Sequence, residues 1–250
     1  MEAKFMYPLQ SCKIIHFVRH GHAMNNVEAQ KDRDAVLSPH LFDAPLAELG
    51  RRQVENLRKR VIENGVMKRI ELVITSPLSR AMETAVGVFG SQNESLVTSS
   101  PPIVALELAR NRIGLRPANM RRDVSEYESL LYNPFPPLSF LDNIYIYIQM
   151  EDEEDKLWKI DVQESEEELL ARGTEFMKWL WKRPEKEVAI VSHGMMLRHV
   201  LYGLAGDSHV PTGHDLCKRF DNCEIRTVVV IHKRLVRLRF HDGLIPRRET

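Results

Sequence analysis

Short runs of β-branched and aromatic residues in this chain end, one after another, on loops that begin with basic or hydroxyl side chains and lead into helical periodicity. Lys13 to Val18 (KIIHFV) empties into Arg19-His20-Gly21. Glu71 to Thr75 (ELVIT) is broken by Ser76-Pro77 before a helical stretch from Ser79 to Phe89 with Gly90 beyond its end. Glu187 to Val191 (EVAIV) delivers Ser192-His193-Gly194 to a loop ahead of the helical stretch Met195 to Leu204, and Thr227 to His232 (TVVVIH) is a fourth apolar run. Two more helices lie between these units. Val54, Leu57, Val61 and Ile62 share one face of a helix within 47–63 that stops at Asn64-Gly65. Ser165 and Glu168 form a capping-box pattern ahead of Leu169, Leu170, Phe176, Met177 and Leu180, and Pro184 closes that helix. Strands that are apolar throughout and alternate with helices belong to a parallel sheet buried on both faces. The expected fold class is α/β, a three-layer α/β/α arrangement with a mostly parallel central sheet, built as one domain over residues 1–250.

From about Arg116 to Lys159 this regularity lapses. The stretch holds Pro134, Pro136 and Pro137, the alternating Ile144 to Ile148 (IYIYI) and the acidic run Glu151 to Asp155. Residues of about 115–160 are therefore expected to form an insertion or lid over the sheet edge, since structureless segments longer than about 12 to 15 residues in compact domains serve as lids or stay disordered. Leu130, Leu131, Phe135, Leu138, Phe140 and Leu141 make it apolar, which suits packing onto the core or lining a pocket.

Composition narrows the partners. Basic and acidic residues number 35 each, so no global field draws the chain to nucleic acid or an anionic membrane. Attraction for a charged ligand must be local. Cys12, Cys217 and Cys223 form no C-x-x-C or zinc spacing and read as free thiols of a reducing compartment. His22, His40, His199, His209 and His214 have no metal-site spacing and fit surface or capping roles. With no apolar run near the roughly 20 residues that span a bilayer, a cytoplasmic location is expected. Neither metal nor cofactor is expected, and the sequence leaves the oligomeric state open.

Ligands of open parallel sheets bind beyond the carboxyl ends of the strands. Three such ends here carry Arg19-His20-Gly21 with Asn25 and Asn26 close behind, Arg80, and Ser192-His193-Gly194. Two guanidiniums and two imidazoles suit a phosphoryl group: arginine offers a planar fork of donors, and neutral imidazole can attack phosphorus. Helix N-termini after Gly21 and Gly194 add backbone donors for an anion.

The strand-R-H-G opening, the S-P-L-x-R-A-x-x-T-A segment Ser76 to Ala85 and the V-S-H-G segment Val191 to Gly194 resemble the histidine phosphatase superfamily, also called phosphoglycerate-mutase-like. Phe42-Asp43-Ala44 with Leu49-Gly50, Ala85 to Gly90, Leu157-Trp158-Lys159 and Cys217 to Arg226 (CKRFDNCEIR) are similar to its plant branch. The resemblance covers about Ile14 to Val230. It implies that His20 attacks phosphorus and that Arg19, Arg80 and His193 hold the phosphoryl oxygens, with Asn26 and Gly194 as further phosphate contacts. It implies a carboxyl proton donor near mid-chain, for which Glu107 in Ala105 to Arg110 (ALELAR) is the candidate.

Two departures from the branch pattern stand out. Where it reads E-L-C-R-E this chain has E-L-A-R-N, ending at Asn111, and where it reads C-D-K-R this chain has Ala118-Asn119-Met120-Arg121. The function implied is a phosphomonoester phosphatase acting on a small phosphorylated metabolite through a phosphohistidine. The alternatives are a phosphoglycerate-type mutase and an altered member that binds or converts a different anionic metabolite.

Overall fold

In the computed structural model, which describes residues 12–91, 100–132, 146–205, 217–231 and 234–236, seven strands form one sheet. They are β1 (Cys12–Arg19), β2 (Leu72–Thr75), β3 (Ile103–Leu106), β4 (Ile146–Gln149), β5 (Glu187–Ser192), β6 (Ile225–Ile231) and β7 (Arg234–Val236). The order across the sheet is β4-β3-β2-β5-β1-β6-β7. The first five strands in that order pair in parallel, and β6 runs antiparallel to both β1 and β7.

Alternation along the buried strands sends side chains to two cores. Ile15, Phe17, Leu72, Ile74, Val188 and Ile190 pack under α5 (Glu166–Lys182) and α6 (Gly194–Ala205). Val18, Val73, Ala189 and Val191 pack under α2 (Glu48–Glu63) and α3 (Ser79–Phe89). This is the expected three-layer α/β/α arrangement. The Ser165–Glu168 capping box opens α5, and Gly65, at a φ of +66°, supplies the left-handed residue that follows α2.

Two elements carried no signal that periodicity could read. Helix α1 (Met24–Lys31) buries no residue and so has no apolar stripe. β3 has four residues, too few for a pattern to stand out. Within the irregular region lie α4 (Val124–Tyr132) and β4, whose half-buried and exposed residues alternate as on an edge strand. The apolar stretch from Leu130 to Leu141, His209 and His214 lie outside the residues whose side chains are described. Of the other histidines, His22 and His199 are buried rather than on the surface. Among the described residues, no helix is long and apolar enough to cross a membrane.

Buried polar contacts as well as apolar ones hold the segment after β3. Arg121, 3% exposed, donates to the carbonyls of Asp152, Glu153 and Glu154 and to Glu107 Oε2. The neighbouring Arg110 pairs with Glu107 and Asp155. The acidic run thus wraps two buried guanidiniums. Removing one partner of such a pair strands the others without water. Arg121→Met is accordingly expected to cost about 3 to 5 kcal/mol in denaturant melts, whereas a loss under about 1 kcal/mol, the worth of an exposed pair, would show that these contacts do not hold the segment.

Candidate active site

Strand register assembles the site. Arg19 of β1 faces Ser192 of β5 in a parallel ladder, and the His20 amide donates to the Ser192 carbonyl at 3.0 Å. The next residues, His20 and His193, are thereby neighbours, with ring centroids 5.0 Å apart and planes tilted by 60°. On the other side of β5, β2 ends with Thr75 opposite Val191, which brings Ser76 Oγ to 2.8 Å from His193 Nε2. Helix α3 then starts, with Arg80 in its first turn. All four side chains are buried or nearly so.

Loops from elsewhere hold each group. Arg19 Nη1 donates to the Phe220 carbonyl at 2.6 Å, Asn222 Nδ2 donates to the His20 carbonyl, and the Cys223 amide donates to the Arg19 carbonyl. Cys223 holds a left-handed φ of +56° to make this turn. A Cβ on Gly21 would come within 3.3 Å of Cys223 Sγ, and one on Gly50 would stand 2.1 Å from the His22 carbonyl, so α2 can abut the loop after His20 only through glycine. Gly194 lies against Arg19, the nearest atoms 3.6 Å from where its Cβ would sit.

Arg80 donates to the Ala118 carbonyl and to Asn119 Oδ1. Its helix is anchored by Asp43, which accepts from the Ser79 amide and hydroxyl, Arg122 Nε and Tyr127 Oη. The remaining expected residues lie around this cluster. Asn26 uses its Oδ1 to cap α1 through the Ala23 amide at 3.0 Å. Both Glu107 oxygens accept from guanidiniums, those of Arg110 and Arg121. Asn111 donates to Asn119 Oδ1 at 3.0 Å. Ser76, Asn119, Phe220 and Asn222 were not among the expected site residues, for they act on neighbours that carry the chemistry.

Electrostatics set the protonation states. Burial, reinforced by Arg80 and Arg19, holds His20 well below its ordinary pKa of 6.5. The His20 Nδ1–H donates to the Gly21 carbonyl at 2.7 Å, which leaves the lone pair on Nε2. Burial also depresses His193, with Arg80, His20 and Arg19 adding to it. Ser76 Oγ already accepts from the Leu78 amide. When its single proton goes to His193 Nε2, the His193 proton sits on the buried, unpartnered Nδ1. Among the described residues neither Arg19 nor Arg80 pairs with a carboxylate, and the Nε of each is buried without an acceptor.

A family model for the histidine phosphatase superfamily (branch 1) matches residues 15–100 and 145–242. Phosphoglycerate mutase-like protein 1 of Arabidopsis thaliana is 40% identical over 92% of this chain and 86% of its own. An alpha-ribazole phosphatase from Shigella flexneri shares the fold at a TM-score of 0.55, with 20% identity over 89% of this chain and 93% of that one. A phosphoglycerate mutase from Bacillus anthracis does so at 0.54, with 16% identity over 91% and 92%.

Two imidazoles kept neutral when folded but protonated when unfolded lower stability as pH falls below the unfolded value near 6.5. Replacing His193 by Asn removes one such loss. Relative to wild type, His193→Asn should gain stability between about pH 7.5 and pH 5.5 in urea melts, and a gap constant with pH would refute a buried neutral ring. The motifs, the fold and the extent of the match agree: this chain belongs to the histidine phosphatase superfamily.

Proposed function

We propose that the chain is a phosphomonoester phosphatase that hydrolyses a small phosphorylated metabolite through a phosphohistidine at His20. One observation carries this reading. A neutral imidazole with its lone pair fixed on Nε2 stands beside two guanidiniums, Arg80 fully buried and Arg19 half-buried, that have no carboxylate partner among the described residues. Uncompensated buried cations are costly, and a phosphoryl dianion between them supplies the missing charge.

In the reaction, Nε2 forms the bond to phosphorus as the ester P–O bond breaks. Arg19, Arg80 and the Nδ1–H of His193 take up charge on the transferred oxygens, with Asn26 and the Gly194 end of α6 as further donors. The leaving oxygen must gain a proton, for which Glu107 at the carboxyl end of β3 is the candidate carboxyl once it is released from Arg110 and Arg121 and has taken up a proton, and water then hydrolyses the phosphohistidine. Both activities occur among the names of similar proteins, one relative being a mutase-like protein and two folds being a phosphatase and a mutase. Incubation with 3-phosphoglycerate separates them: free phosphate supports the hydrolase, and appearance of the 2-isomer supports the mutase.

His20→Ala is expected to abolish phosphate release across a panel of phosphomonoesters while leaving the melting temperature close to that of wild type, because the ring lies at a loop rather than in either core. Release at an undiminished rate would end the proposal. Glu107→Gln is expected to slow alkyl phosphates far more than nitrophenyl phosphate, since only a poor leaving group needs the proton. Equal loss on both would assign Glu107 to the Arg110–Arg121 network alone.

A further inference from the structure

Two fully buried arginines stand on either side of Asn119 and are treated in opposite ways. Arg110 Nη2 donates to the Asn119 backbone carbonyl at 2.6 Å, and the charge of Arg110 is cancelled by the carboxylates of Glu107 and Asp155. Arg80 takes the side-chain oxygen of the same residue at 2.9 Å and the Ala118 carbonyl, and among the described residues it has no carboxylate partner. The nearby Asp43 is already engaged by Ser79, Arg122 and Tyr127. The amide of Asn119 is held in one orientation, because its oxygen also accepts from Asn111 Nδ2 while its nitrogen donates to the Arg112 carbonyl at 2.8 Å. Arg80 is thereby gripped by dipoles only.

We propose that Asn119 is a positioning residue that aims Arg80 without neutralising it, so that the site selects a phosphoryl group carrying two negative charges over one carrying a single charge. The ligand class is the terminal phosphomonoester dianion, and diester monoanions are excluded on charge. A carboxylate at position 119 would hold Arg80 as firmly but would consume the charge meant for the ligand. This rests on the phosphatase reading above and adds to it the residue that sets charge selectivity.

The test compares wild type, Asn119→Asp and Asn119→Ala. Binding of inorganic phosphate is measured by titration calorimetry at fixed pH, and turnover is measured with nitrophenyl phosphate and bis(nitrophenyl) phosphate. Asn119→Asp should weaken phosphate binding about tenfold or more, the scale of an unfavourable charge placed beside a bound anion. Asn119→Ala, which loses all three side-chain hydrogen bonds where the Asp variant loses only the one to the Arg112 carbonyl, adds no charge and should weaken it less. The preference for monoester over diester should narrow in the Asp variant and persist in the Ala variant. A merely structural role gives the reverse order, with Ala the more damaging, and would overturn the proposal. Should Asn119→Asp fail to fold in thermal melts, Asn111→Asp places the charge at the less buried partner, and unchanged phosphate affinity there would overturn the proposal equally. Wild-type protein that binds phosphate while these orders fail refutes only the role of Asn119. Wild-type protein that neither binds nor releases phosphate refutes the phosphatase reading with it.

Discussion

In the parallel ladder between β1 and β5, Arg19 lies opposite Ser192, so the two strands run out together and the next residue of each is a histidine. No loop flexibility is spent in bringing the imidazoles into contact. The sheet interior fixes the register, because a slip of one residue would turn Ile15 and Phe17 away from α5 and α6 and send Val18 there instead. β2 on the far side of β5 adds Ser76 and the start of α3 by the same device. The side chains at the sheet's carboxyl edge are thus placed by the same register that builds the core beneath them.

Arginine is used in two distinct ways around that edge. Arg110, Arg121 and Arg172 each meet carboxylates and tie chain segments together; Arg172 also donates to the carbonyls of Leu108, Arg110 and Asn111, the stretch that carries Asn111 to Asn119. Arg19 and Arg80 meet only carbonyl and amide oxygens. In a low-dielectric interior the first group is electrically silent and the second is not. The charge reserved for a ligand is therefore legible from the partners of each guanidinium, without a ligand being present. Asp43 joins the two groups mechanically, since its carboxylate accepts from both the helix bearing Arg80 and the segment bearing Arg122 and Tyr127.

Much of this could be read before any coordinates. Helices α2, α3, α5 and α6 announced themselves through apolar stripes and caps, and the strands leading to His20 and His193 through β-branched runs cut short by glycine. The convergence of His20, His193, Arg19 and Arg80 followed from the placing of ligands at the carboxyl ends of parallel strands. What escaped was whatever depends on tertiary pairing. The order β4-β3-β2 requires knowing which strand neighbours which, and helix α1, which buries nothing, leaves no periodic trace. The burial of Arg121 by three successive carbonyls is invisible in a sequence that shows only an acidic run. Asn119 and Asn222 escaped for a related reason: an asparagine that holds a neighbour's side chain or carbonyl looks, in one dimension, like any turn residue.

The turn that presents a carbonyl to Arg19 places a sulfur atom beside the loop that follows His20. Cys223 sits in the left-handed region, packed where a Gly21 side chain would otherwise stand. A cationic neighbour ordinarily makes a thiol reactive, yet burial here outweighs Arg19 and pushes Cys223 up to about 12. The thiolate is the form that attacks peroxides and disulfides, so this sulfur, held as the thiol, serves as a space-filling atom. The crevice beside His20 is consequently lined at this depth by a thiol of low reactivity rather than by a thiolate.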